Sequence, residues 1–241
     1  MKEKLHALYE FLLANGAYNK EFQEKEYKKI LYQHEGTEDK VIALLYNIVN
    51  TQSQPKIDLI AEFFRHVVWD NYDGLSSFNS FVGVLGGSGD VRYEDLFENL
   101  KNKIGWGGKT AALFTKVIFN VHCGRYSKDL EIWDDTPTTL ENDRIYLPVD
   151  AVIIDVFRRL GLSSPSFKSI NKELQKHFAA PEMAIWDDLW FWGFINQKGS
   201  GEKRTNEWNQ NKYWALENSN KKHSIIYEIE AKSERFRQLV S

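Results

Sequence analysis

Cysteine is almost missing from this chain: Cys123 is the only one among 241 residues. A disulfide within the chain is excluded, and so is a multi-cysteine zinc or iron–sulfur site. No apolar run approaches the ~20 residues that a membrane-spanning helix needs. The opening Met1-Lys-Glu-Lys-Leu-His carries acid and leads into an amphipathic pattern, so a signal peptide is not expected and a soluble, cytoplasmic chain is. Acid is missing too from Asn99 to Lys128, where Lys101, Lys103, Lys109, Lys116, Arg125 and Lys128 fall. The net charge of −3 works against nucleic-acid binding, which usually leaves a basic footprint. The acid-free stretch reads in two ways, as a positive patch on a negative body or as a chance run on a solvated face.

What is present is an ordinary globular balance, 42% hydrophobic and 27% charged, which argues against disorder. The length suffices for one large domain or two small lobes. Helical periodicity dominates. Leu5, Leu8, Tyr9, Leu12 and Leu13 repeat at helix spacing until Asn15-Gly16, and a second charged helix is predicted from about Glu21 to His34. Thr37 reads as a cap before Val41, Leu44, Leu45, Ile48 and Val49, and a further helix follows Pro55. Tyr93 to Leu100, Ser166 to Leu174, an aromatic stretch from Pro181 to Phe194, and His223 to Leu239 also read as helices. Gly199-Ser200-Gly201 breaks the aromatic one. Asp129 to Leu147 reads as a loop with room for a short hairpin. The class is therefore all-α, with one long insertion.

The most informative segment is Leu100-Lys-Asn-Lys-Ile104-Gly105-Trp106-Gly107-Gly108-Lys109-Thr110-Ala111. One helical pattern runs into Gly105 and another leaves from Lys109, with Leu113, Phe114, Val117 and Ile118 as its stripe. Glycine lets a backbone approach another surface closely. The first amides of the second helix are unpaired, and such an end attracts an anion such as phosphate. Trp106, at the tip, has two places to go: between the helices or against a sugar. A plain tight αα-turn would use the same glycines.

Downstream, Val149-Asp150 precedes an apolar helix of Val152, Ile153, Val156, Phe157 and Leu160 that closes at Gly161. Asp150 is read first as an N-cap. Capping and catalysis are compatible, because a cap fixes the carboxylate.

Together the two segments resemble the helix–hairpin–helix DNA glycosylase superfamily, which includes endonuclease III, the adenine glycosylase and the 8-oxoguanine glycosylases. The family's hairpin, Gly-x-Gly-x-Lys-Thr/Val-Ala, is matched by Gly105 to Ala111, and its Val-Asp followed by Arg-Leu-Gly by Val149-Asp150 and Arg159-Leu160-Gly161. Leu45 to Gln52 is similar to the family's apolar helix ending in a residue that fills the gap left by a flipped base. The chain departs from the pattern in three ways. The interval from Lys109 to Asp150 is longer than in most members, which the Asp129 to Leu147 insertion explains if it loops out. Asp155 stands where many members have arginine. The cysteine cluster of the iron–sulfur branches is missing, as in 8-oxoguanine glycosylases, which tilts the expected substrate towards an oxidised purine.

The resemblance implies a two-lobed helical fold, one lobe over residues 36–122 and the other formed by residues 1–35 with 123–241. It implies a monomeric base-excision glycosylase with AP lyase activity acting on double-stranded DNA that contains a damaged base. Lys103, Gly105, Trp106, Gly107, Gly108 and Thr110 would hold the backbone, and Gln52 would fill the hole. Lys109 would attack the sugar, Asp150 would assist, and no metal or cofactor is called for. Lysine attacks only as the neutral amine. Trp186, Trp190, Phe191 and Trp192 would wall the base pocket, although an aromatic helix is more often core. Three other readings stay open: a non-catalytic DNA-structure-binding protein, a monofunctional glycosylase using Asp150 to activate water, and a helical protein–protein module.

Overall fold

In a computed structural model of the chain, residues 1–89, 91–199, 201–216 and 223–241 are described. Ser200, within the Gly-Ser-Gly break, lies outside them. The chain is mostly helical and of the all-α class. The helices are α1 (Lys2–Leu31), α2 (Thr37–Val49), α3 (Ile57–Phe63), α4 (Phe78–Val84), α5 (Tyr93–Lys101) and α6 (Gly108–His122). They continue with α7 (Ala151–Arg159), α8 (Phe167–Leu174), α9 (Ala180–Met183), α10 (Leu189–Ile195), α11 (Gln210–Leu216) and α12 (His223–Leu239). A π-turn, Phe64–Val68, and a 3₁₀ segment, Trp69–Leu75, prolong α3. A minimal antiparallel ribbon pairs β1 (Gln197–Lys198) with β2 (Thr205–Asn206), with Gln197 opposite Asn206.

Two compact units result. One comprises Met1–Phe22, Val149–Phe178 and Ile185–Ser241, the other Gln23–Pro148 and Ala179–Ala184. The boundaries thus fall elsewhere than at the expected 35/36 and 122/123. Residues 23–35 and 123–148 belong with the glycine turn because they build that unit's interior. Tyr27 and Tyr126 pack edge to face at 5.7 Å, and the Tyr126 hydroxyl donates to Gln23 Oε1 at 2.9 Å.

In this larger unit the expected insertion is neither an outward loop nor a hairpin. Leu130, Ile132, Trp133, Leu140, Ile145 and Leu147 are all buried. Trp133 donates its indole N–H to Leu75 O at 2.8 Å and its ring stacks on Phe81. The segment also carries two carboxylates to helix starts. Asp135 accepts from the amides of Phe78 and Asn79 at 2.7 and 3.0 Å, and Asp143 from those of Tyr93 and Glu94, both at 2.9 Å. Helix N-terminal amides have no partner within their helix, and a carboxylate there is favoured by hydrogen bonding and by the helix dipole together. The segment therefore fixes α4 and α5, and α5 leads into the glycine turn.

The smaller unit has an aromatic interior. Trp192 packs edge to face on Phe11 at 5.0 Å, and Trp186 is fully buried against Phe178 and Phe157. Gly193 allows α10 to close on α7: a Cβ there would lie 2.8 Å from Val152 Cγ1. The expected break at Asn15-Gly16 is a kink within one helix. Asn15 leaves helical geometry, donates its side-chain amide to Phe11 O at 2.8 Å and accepts from Lys232 Nζ at 2.7 Å. Asn15 thus supplies a side-chain partner at the bend, and α1 continues past it. Thr37 is the first residue of α2, and Gly36 holds the cap position. The predicted Pro181 to Phe194 helix is interrupted: α9 gives way to a 3₁₀ turn, Ala184–Asp188, before α10. Asp155 is buried and pairs with Arg159 at 2.8 Å and Arg158 at 3.3 Å.

His122 closes α6 as a buried neutral ring. It lies near-parallel to Trp133 and accepts the Ile132 amide at Nε2, 3.2 Å away. Burial pushes its pKa from 6.5 down to about 4, against the opposing pull of Asp135 and Asp134. Above the ordinary imidazole value this costs nothing. As pH falls from 6.5 towards 4 the unfolded chain takes up a proton that the folded chain refuses, and stability is lost, on the order of 3 kcal/mol. Denaturant midpoints measured across that window should fall. They should fall less in His122→Gln, which keeps an acceptor for the Ile132 amide.

Candidate functional site

The connection between α5 and α6 is short, and each of its residues has a distinct task. Gly105 has φ +78°, and a Cβ there would meet the Leu59 carbonyl and Ile60 amide at 3.1 Å, so the turn lies directly on the backbone of α3. Trp106 takes the inward course. Its ring packs against Phe63 at 5.3 Å and Phe114 at 6.1 Å, and its buried Nε1 has no acceptor. Thr110 is buried and folds back on the turn. Its hydroxyl accepts from the Gly107 amide and donates to the Gly107 carbonyl, both at 3.1 Å.

Gly107 is different. Its backbone is extended, and a Cβ there would find nothing within 4 Å. With glycine in the cap position no side chain covers the start of α6. The space beside it is a cleft of about 490 Å³ lined by Gln52, Ser53, Gln54, Lys56, Leu59 and the run Gly105 to Thr110. The structure thus brings Gln52 to the turn, where its amide donates to Gly105 O at 3.4 Å. Lys109 stands at the cleft, and Lys103 is not among the lining residues. Among the described residues, no carboxylate lines the cleft. Lys56 is a cleft residue that sequence reasoning missed. Its only signal was its place just before a helix start, directly after Pro55.

The acid-free stretch does not form a single patch. Lys116 is buried over the Tyr27 ring and donates to Gln23, and Lys101 pairs with Glu98. Of the stretch's cations, Lys109 lines the cleft.

Asp150 belongs to the smaller unit and is the N-cap of α7, accepting from Val152 N at 2.8 Å and Ile153 N at 3.0 Å. Gly161, at φ +97°, ends that helix as expected. Of the four aromatic residues expected at a base pocket, Trp186 and Trp192 are core, with no exposed surface. Phe191 borders a cavity of about 140 Å³ with Tyr18, Phe22 and Tyr213. Burial and a hydrogen bond to Glu228 raise the Tyr18 hydroxyl well above the ordinary phenol range, so Tyr18 stays protonated. Trp190 keeps partial exposure and donates its indole N–H to Asp150 Oδ2 at 3.0 Å. Sequence reasoning offered it as a stacking surface and missed this bond.

Comparison with known proteins finds no matching family model, no matching characterised protein and no matching solved structure. Among the described residues no cluster of three His, Cys, Asp or Glu side chains is placed to hold a metal ion, and no helix is long and apolar enough to cross a membrane.

Gly105 and Gly107 should respond differently to a methyl group. Gly105→Ala combines a positive φ with a backbone collision and should cost about 1–3 kcal/mol in denaturant unfolding. Gly107→Ala meets no atom and should cost less, at most about 1 kcal/mol from the poorer N-cap, while narrowing the cleft. Equal losses from both would contradict the geometry.

Proposed function

We propose that this chain is a two-lobed helix–hairpin–helix DNA glycosylase with AP lyase activity, working as a cytoplasmic monomer on duplex DNA that carries an oxidised base, with 8-oxoguanine the foremost candidate. The observation that carries the reading is the acid-free cleft in which Gln52, Lys109 and the uncapped start of α6 meet. Unpaired amides at a helix N-terminus suit a phosphate, and an open Gly107 lets a sugar–phosphate backbone come close. Lys56 adds a second cation to the same cleft. The resemblance of Gly105 to Ala111 and of Val149 to Gly161 to the family's two signatures points the same way.

On this reading the damaged nucleotide swings out of the stack, at a cost of a few kcal/mol that damage lowers. Gln52 takes the vacated space. The neutral Lys109 amine attacks C1′, the glycosidic bond breaks, and the base leaves with the bonding pair. Asp150 stabilises the positive charge that builds on the sugar or accepts the proton released by the amine. The C1′–O4′ bond then opens, O4′ takes up a proton, and the resulting iminium acidifies C2′–H; the released base or a water takes that proton as the 3′ phosphate leaves by β-elimination.

Borohydride reduction of the imine gives the test. Wild type incubated with duplexes bearing 8-oxoguanine, other oxidised bases or an abasic site should form a covalent adduct, and Lys109→Gln should form none. Asp150→Asn should slow base release by about 100-fold or more with DNA affinity retained. Salt-sensitive DNA binding with no adduct on any lesion would leave a DNA-structure-binding protein and remove the enzyme. Base release without an adduct or strand cleavage would point to the monofunctional, water-activating alternative.

A further inference from the structure

The carboxylate of Asp150 is nearly saturated with donors. Oδ1 accepts the amides of Val152 and Ile153, and Oδ2 accepts the Trp190 indole N–H at 3.0 Å. A carboxylate offers about four acceptor positions in all. Those bonds fill both on Oδ1 and one on Oδ2, which leaves a single direction free, on Oδ2. Whatever Asp150 does chemically passes through that direction, and two constraints set it. The α7 backbone anchors Oδ1, and Trp190 fixes the rotation of the carboxylate plane about it.

Trp190 is itself held. Its ring lies near-parallel to Phe22, 6.2 Å away at 17°, and to Phe194, 5.0 Å away at 13°. Phe194 in turn lies beneath the Lys212 ammonium, 4.7 Å from the ring centroid. An indole with neighbours stacked along it is poorly placed to receive an extruded base, but it is rigid, and rigidity is what an orienting donor needs. The carboxylate bond sets Trp190 apart from its neighbours. Trp186 and Trp192, on the same stretch, are fully buried with Nε1 atoms that find no partner.

We infer that Trp190 is the positioning residue of Asp150, holding the one free acceptor direction of that carboxylate on its target. The consequence for catalysis rests on the glycosylase reading above, whereas the hydrogen bond does not. Trp190→Phe keeps a ring among Phe22 and Phe194 and removes the donor, and Trp190→His restores an N–H.

The experiment has two arms on the full chain. In the first, single-turnover release of 8-oxoguanine from a duplex is measured for wild type, Trp190→Phe, Trp190→His, Asp150→Asn and the Trp190→Phe/Asp150→Asn double variant. Trp190→Phe should lose on the order of 10–100-fold in rate with unchanged DNA affinity, and Trp190→His should recover part of it. In the Asp150→Asn background Trp190→Phe should cost nothing further, because its effect runs through the lost carboxylate. A full additional loss there would mean that Trp190 acts through packing alone and would overturn the inference. The second arm needs no activity. The Trp190 indole proton, followed by ¹H–¹⁵N NMR, should shift and exchange faster in Asp150→Ala. An indole signal indifferent to that change overturns the inference even if Trp190→Phe fails to fold. A responsive indole in a protein that releases no base from any lesion supports the clamp and refutes the glycosylase reading instead.

Discussion

An α-helix begins with amide hydrogens that its own carbonyls cannot reach, and burying them without a partner costs more than most single contacts supply. This chain answers that constraint with aspartates. Asp135 serves α4, Asp143 serves α5 and Asp150 serves α7. The start of α6 has a glycine at the cap position and opens on a cleft without carboxylates. There the unmet hydrogen-bonding capacity is available to something outside the chain. In the larger unit the capped starts of α4 and α5 tie distant segments together, while the start of α6 faces the cleft.

The turn before α6 depends on that scaffold. Gly105 rests on the α3 backbone, Thr110 ties itself to Gly107, and Trp106 plugs the space between Phe63 and Phe114. These residues spend their side chains on shape. What remains for recognition is backbone and the side chains at the rim: Gln52, Lys56 and Lys109. In the smaller unit the division of labour is similar. Trp186 and Trp192 supply the interior, and the partly exposed Trp190 directs a carboxylate.

Features set by neighbours within a few residues were legible in the sequence. The Asp150 cap, the Gly161 stop, the helix opening at Ser166 and the extent of α5 depend on contacts from i to i+4, and residue type alone announces them. The meeting of Gln52 with the glycine turn was suggested only by the family pattern. Orientation was not legible. Trp106 turns inward because Phe63 and Phe114 are waiting for it, and no local pattern encodes a partner 43 positions earlier in the chain. Asn15 looked like a terminator because its side chain competes with the helix backbone; in the fold that same side chain holds the bend together. The Asp129 to Leu147 stretch looked like an excursion because it has no periodicity. Its apolar residues are buried all the same, and Asp135 and Asp143 are the reason it lies where it does.

That arrangement has a bearing on how the molecule comes into being on the ribosome. The aspartates that complete α4 and α5 are supplied 57 and 50 residues after the amides they satisfy. Until synthesis has carried Asp143 clear of the exit tunnel, α5 lacks the carboxylate that completes its start, as α4 lacks its own until Asp135 emerges. The glycine turn that follows α5 can therefore become rigid only late. An emerging chain is without a finished cleft until the stretch that looked most dispensable has been translated.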